Sequence, residues 1–395
     1  MSESASLHAN VSAAPAAVSV RSGGVPWYAW ACTLAAVCAV VGLMWDISWH
    51  MSIGRDTFWT PAHLLIQCCA LLGGISCVYL ILQNTFRGSA EAREASVRVW
   101  GFYGPLGAFI AAWGGVAMLT SAPFDNWWHN AYGLDVQILS PPHTLLGLGI
   151  TGVELGGLIL ILGCMNRATG ELRRKLEFLF LLTGGMILTQ RMIFFWEYES
   201  RVLMHSAIFY RVVCIGAPIV LVTLAWASGR RWASTIAAGV YMATWLAMLW
   251  ILPLFAAQPK LGPVYQHVTH MVPMGFPVLI IFPAAALDLL WPRMKGWNHW
   301  AQAGVAGVTF FIVLVAVQWP FADFLMSPAS RNWIFGTQEF AFMQAPGDPE
   351  VRNVFDYYEN SRLAFWGGMA IAPLCAILST RIGIAVGGWM SRVRR

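Results

Sequence analysis

The chain predicts an all-α polytopic integral membrane protein of about ten transmembrane helices, and three observations carry that prediction. Of its 395 residues, 58% are hydrophobic and only 11% are charged, whereas a soluble domain is roughly one quarter charged. The mean hydropathy is +0.60. The apolar residues gather into runs of about 20, the length that crosses roughly 30 Å of hydrocarbon. A transmembrane β-barrel would show short alternating segments instead.

Residues 1–25 are rich in Ser and Ala and lack an apolar core, so they read as a disordered cytoplasmic tail and not as a signal peptide. Residues 26–395 read as a single transmembrane helical domain. The expected spans cover about residues 26–46, 61–83, 99–122, 141–165, 177–196, 204–228, 233–256, 271–291, 302–320 and 364–388. Gly and Pro within them are tolerated by membrane helices.

Lys and Arg set the orientation. One set of connections carries Arg87, Arg93, Arg98, Arg167, Arg173, Arg174, Lys175, Arg230, Arg231, Arg293 and Lys295, and the C-terminus adds Arg392, Arg394 and Arg395. The opposite short connections carry little beyond Arg55, Arg201 and Lys260. Both termini are therefore expected in the cytoplasm, with the chain multi-pass in the inner (plasma) membrane. Residues 321–363 form a long extracytoplasmic loop, rich in aromatic and acidic residues, that reads as a cap.

The histidines sort the connections in the same way. His8 lies in the tail and His299 in a cytoplasmic connection, whereas His50, His63, His129, His143, His205, His267 and His270 all fall at the periplasmic face. Four of them belong to a duplicated hairpin. Asp46, Trp49, His50, Gly54 and Asp56 match Asp125, Trp128, His129, Gly133 and Asp135 without a gap. One inserted residue later, Thr60-Pro61-Ala62-His63 matches Ser140-Pro141-Pro142-His143. Spans 1–2 and 3–4 thus read as an internal repeat, and repeated membrane hairpins place sites at their interface.

The Pro-x-His ending has a local logic. Thr60 and Ser140 suit an N-cap, and Pro61 and Pro141 suit the first helical position. His63 and His143 then stand in a first turn, where the helix dipole disfavours an imidazolium and the neutral, metal-binding ring is favoured. His205, and Thr269-His270 with His267 one turn earlier, echo the plan at the starts of spans 6 and 8. The candidate metal set is therefore His50, His63, His129, His143, His205, His267 and His270. Asp46 and Asp125 join it as ligands or as acceptors that orient a ligating ring. Asp56 and Asp135 read as turn residues after their glycines.

Imidazole with carboxylate suits copper, zinc or iron. Methionines beside three of the histidines, Met51, Met204 and Met271, tilt the expectation to copper, and a bis-histidine haem is the other cofactor considered. Arg191 and Arg211, near the outer ends of spans 5 and 6, are candidates for an anionic or quinone-like ligand, or for pairs with Glu197 or Glu199.

The eight cysteines all lie in apolar runs and give no disulfide framework. Walker, G-x-G-x-x-G, H-E-x-x-H and G-x-S-x-G templates are absent, so no nucleotide is expected as a partner. No basic cluster interleaved with aromatics points to nucleic acid. The expected partners are the lipid bilayer and membrane or periplasmic proteins. The expected function is a copper-type membrane oxidoreductase or a metal-handling protein; the alternative is a proton- or ion-coupled transporter or channel using the same histidines.

Overall fold

The computed structural model describes residues 24–54, 56–94, 96–133, 140–196, 203–260, 267–337 and 359–395. The chain is an all-α polytopic membrane protein, 78% helical. Among the described residues, nine helices are long and apolar enough to cross a membrane. The first four are α1 (Trp27–Ser52), α2 (Pro61–Arg87), α3 (Leu106–Tyr132) and α4 (Pro141–Met165). Then come α5 (Gly170–Phe194), α6 (Ala207–Ser228) and α7 (Ala233–Ile251), and, after the short α8 (Ile281–Leu290), α9 (His299–Met326) and α10 (Arg362–Met390).

Several helices run past their expected ends, α9 to Met326 among them, and in two of them the extension carries site residues. Helix α1 continues to Ser52, and α3 continues through Pro123 to Tyr132. Asp46 and His50, and likewise Asp125 and His129, are therefore helical residues one turn apart. Span 3, expected from about residue 99, begins later, because residues 97–104 form an antiparallel ribbon of β1 (Val97–Val99) and β2 (Phe102–Gly104). Its turn holds Trp100 and Gly101 at φ 49° and 90°.

Apolar burial drives little helix association in lipid, so close packing of small residues takes its place. Helices α3 and α4 meet along Gly107 and Gly114 on one side and Gly149 and Gly156 on the other. A Cβ on Gly114 would stand 2.6 Å from the Gly149 carbonyl oxygen, and one on Gly156 would stand 2.5 Å from that of Gly107. Helix α2 widens into a π-helix over Ala70–Ile75. There Gly74 packs on Gly115 of α3 at a spacing that would leave an added Cβ 3.0 Å from the Gly115 Cα.

The expected eighth span is not a continuous helix. Residues 271–279 form neither helix nor strand and are mostly buried, and only Ile281–Leu290 is α-helical. The sequence supplies the cause: Pro273 and Pro277 remove helical donors, with Gly275 between them. Non-helical backbone at membrane depth persists only where protein satisfies it, and neighbouring helices do so here. Ser48 Oγ donates to the Val272 carbonyl (2.6 Å) and Ser52 Oγ accepts from its amide (2.7 Å). The Trp245 indole donates to the Gly275 carbonyl at 2.8 Å. Tyr241 Oη accepts from the Val278 amide (2.9 Å) and Gln318 Oε1 from that of Leu279 (3.0 Å). At the other end of the segment, Asp288 accepts from the Thr235 amide and hydroxyl at 2.7 Å each, closing the N-terminus of α7. Segment 271–290 therefore runs along the bundle as a composite, half irregular and half helical.

Of the expected cap, residues 338–358 lie outside the described residues. The preceding part folds back on the bundle. Phe335 stacks among Phe276, Phe321 and Phe324, and the Trp250 indole donates to the Ile334 carbonyl at 3.1 Å.

Candidate metal centres

Each repeat folds its polar residues into one cluster at the histidine end of the bundle. In the first, α1 supplies Asp46 and His50, its last turns placing them at i and i+4. Gly54, at φ 83°, turns the chain out of the helix. Asp56 follows in the connection, and His63 comes from the first turn of α2. His63 Nε2 stands 3.0 Å from Asp46 Oδ1 and 3.3 Å from Asp56 Oδ2. His50 Nε2 stands 3.3 Å from Asp56 Oδ2 and 3.9 Å from Asp46 Oδ2.

The second cluster repeats the plan. Asp125 and His129 lie at i and i+4 on the last turns of α3, Gly133 at φ 91° ends the helix, and His143 stands in the first turn of α4. His129 Nε2 is 3.4 Å from Asp125 Oδ2, and His143 Nε2 is 3.5 Å from Asp125 Oδ1. Asp135, the counterpart of Asp56, lies outside the described residues. The donor atoms within each cluster all lie within 4.8 Å of one another. Donors held 2.0–2.2 Å from one tetrahedral ion stand roughly 3.4 Å apart. Each cluster thus has the dimensions of a single-ion site.

Hydrogen bonds to backbone carbonyls fix which ring nitrogen faces inward. His63 Nδ1 is 2.9 Å from the Thr57 carbonyl oxygen, and His129 Nδ1 is 3.3 Å from that of Gly133. A carbonyl oxygen only accepts, so Nδ1 carries the proton and a neutral ring turns its Nε2 lone pair toward the carboxylates. Lone pair against carboxylate is repulsive, so positive charge belongs in the gap: a proton on the imidazole or a metal ion. This anchoring of the far ring nitrogen recurs in metal-binding histidines. The close imidazoles hold the Asp56 carboxyl well below the usual carboxylate range. The Asp56 and Asp46 side chains are 13% and 20% exposed and that of His50 is 47% exposed, so the first cluster is open to small solutes on its His50 side.

The capping expectation holds unequally. Ser140 Oγ accepts from the His143 amide at 3.4 Å, whereas Thr60 Oγ1 turns back to accept from the Thr57 amide at 2.9 Å. That second bond shapes the turn that offers the Thr57 carbonyl to His63.

The remaining histidines sit apart from both clusters. His205 precedes α6, is 4% exposed, and places Nε2 3.6 Å from Asp323 Oδ1 on α9. His267 and His270 do not share a helical face as their spacing suggested. Their segment is not helical, His270 bridges to Ala256 in antiparallel fashion, and both residues are exposed. Of the methionines beside histidines, Met204 and Met271 are core residues, and Met204 Sδ accepts from Gln318. Arg191 covers the Phe195 ring at 5.8 Å, with Glu197 and Glu199 outside the described residues. Arg211 Nε is buried without a hydrogen-bond partner among the described residues.

Reading the sequence for site residues missed Glu154. It lies in α4 at 1% exposure, and neither carboxylate oxygen has a hydrogen-bond partner among the described residues. An acidic residue near the middle of an apolar run was the signal. Asp323 and Glu359 were missed as well; Glu359 Oε1 accepts from the Ala207 amide at 2.9 Å and so caps α6. No protein-family model, curated protein or solved structure matches the chain, so the chemistry of these clusters is what speaks for its function.

Proposed function

We propose that this is an inner-membrane metalloprotein. Each cluster holds one divalent transition-metal ion at the periplasmic face, His50 and His63 with Asp46 and Asp56 in one, and His129 and His143 with Asp125 in the other. The single observation that carries this reading is the pair of anchored imidazoles, His63 on Thr57 and His129 on Gly133, each turning Nε2 toward a carboxylate. Two imidazoles with one or two carboxylates suit copper(II), zinc or iron, and copper(II) heads the order of affinity for such donors. Haem fits less well, because the inward nitrogens face carboxylate oxygens at 3.0–3.9 Å and not an open slot.

A copper ion held by imidazole and carboxylate, with one position kept for a small substrate, is what a membrane oxidoreductase needs. A metal-handling protein uses the same donors. The internal repeat is read here as a duplicated metal-binding hairpin.

The test is metal analysis of the detergent-purified protein after loading with copper(II). About two ions per chain are expected, about one in His63→Ala or His143→Ala, and none when both are replaced. A wild-type chain that keeps no metal overturns the reading. A transporter is the second reading, supported by the composite crossing at 271–290, since broken helices mark many transport sites. The backbone groups named above are, however, taken up by Ser48, Ser52, Tyr241, Trp245 and Gln318. Proteoliposomes are therefore expected to show no solute flux, and flux that depends on the histidines would favour transport instead.

A further inference from the structure

Six of the eight cysteines fall on three neighbouring helices: Cys32 and Cys38 on α1, Cys68, Cys69 and Cys77 on α2, and Cys164 on α4. Helices α1 and α2 are the pair whose other ends build the first His/Asp cluster. Cys32 lies fourteen residues before Asp46, and Cys77 lies fourteen residues after His63. At 1.5 Å per residue both stand about 20 Å down the pair from the cluster, so they meet at one depth. Their Sγ atoms face each other at 3.9 Å, with Cys32 at 1% and Cys77 at 0% exposure. Nearby on α4, Cys164 Sγ lies 3.6 Å from Tyr28 Oη of α1. Cys38, Cys68 and Cys69 fall between the two levels in sequence.

A buried cysteine is ordinarily a small apolar residue. Here two approach sulfur to sulfur across a helix pair that ends in borderline and hard donors. We propose that Cys32 and Cys77 form a soft-metal site for copper(I). The site rests on the metalloprotein reading above and assigns the α1–α2 seam to the monovalent ion. Thiolates select copper(I), whereas imidazole and carboxylate suit copper(II). Binding replaces one thiol proton by the ion: a copper–thiolate and a copper–thiol bond form, one S–H bond breaks, and the proton leaves to solvent. The buried pair stays neutral, which a low-dielectric interior requires. The ion is supplied as copper(I), so no electron is transferred.

The test is anaerobic titration of the full chain with copper(I) against bicinchoninate, beside copper(II) loading of the same samples. The wild type is expected to hold one copper(I) ion per chain that Cys32→Ser/Cys77→Ser loses, with copper(II) uptake unchanged. His63→Ala/His143→Ala is expected to lose copper(II) and keep copper(I). Equal copper(I) retention in the wild type and the serine variant overturns the thiol site, whatever happens at the histidines. A wild type that takes up copper(I) but no copper(II) would overturn only the outer centres. X-ray absorption of the copper(I)-loaded wild type needs no variant. Sulfur ligation is expected, and a shell of nitrogen and oxygen alone would overturn the proposal.

Discussion

At the scale of single residues, the paired clusters show how a few side chains set a tautomer. The Thr57 carbonyl takes the Nδ1 proton of His63, and the Gly133 carbonyl takes that of His129. Gly54 and Gly133 follow their histidines by the same four positions, and both adopt a positive φ that a side chain would oppose. The glycine is thus part of the site, since it ends the helix where the ring must meet its partners. The clusters are separate, so their losses are expected to be separate too. Asp125→Asn is expected to weaken metal retention at the second cluster by tenfold or more, about 1.4 kcal/mol per tenfold, while the first keeps its ion. Metal competition on each variant reads this directly, and equal loss at both clusters would show that they act as one. Glu154 lies off this plan. Its carboxyl has no hydrogen-bond partner among the described residues, so Glu154→Gln, which keeps the shape and removes no hydrogen bond, is expected to leave the thermal midpoint unchanged. A lowered midpoint would reveal that the acid is held by an interaction of its own.

At the scale of elements, two contacts decide where the clusters sit. The α3–α4 glycine seam brings Asp125 and His129 to His143 by letting the backbones touch. Gly114→Val is expected to destabilise the protein by about 1–3 kcal/mol, read by unfolding in detergent, and to release metal from the second cluster before the first. Retention of both ions at wild-type stability would mean that the helices can part without harm. The composite crossing depends on α1 in a similar way. Ser48 and Ser52 engage both polar groups of Val272 at 2.6 and 2.7 Å, and each lies two residues from His50. Ser52→Ala strands the Val272 amide and is expected to cost about 1–3 kcal/mol, measured by the same unfolding assay. An unchanged midpoint would argue that water or a shifted backbone takes over.

At the scale of the whole molecule, charge and histidine positions agree about sidedness. The basic connections lie on one side and the histidine clusters on the other, which predicts cytoplasmic termini. A C-terminal reporter that fluoresces only in the cytoplasm is expected to be bright, and one that requires export is expected to be inactive; the reverse pattern would invert the proposed topology. Within the first hairpin, the Asp46, His50, Asp56 and His63 cluster lies at one end of α1 and α2 and the Cys32 and Cys77 thiols lie further along the pair.

Several features of this protein were legible in its residues alone. Length and spacing of apolar runs mark the membrane helices, because spanning hydrocarbon demands about 20 apolar residues whatever the packing. The pairing of Asp46 with His50 and of Asp125 with His129 is local too, since i and i+4 side chains meet on any helix, but it depends on α1 and α3 running on to Ser52 and Tyr132, beyond the ends that the apolar runs mark. Other features depend on which elements pack together, and no local pattern carries them. Pro273, Gly275 and Pro277 could have been carried within a helix, as Pro123 is in α3. The segment stays out of a helix because Ser48, Ser52, Tyr241, Trp245 and Gln318, from distant parts of the chain, supply its hydrogen bonds. The non-helical, exposed placement of His267 and His270 adjoins that segment. The meeting of Cys32 with Cys77 and the burial of Glu154 likewise arise from helix neighbours, because in lipid the choice of neighbour rests on close packing between surfaces and not on the apolar pattern of either one.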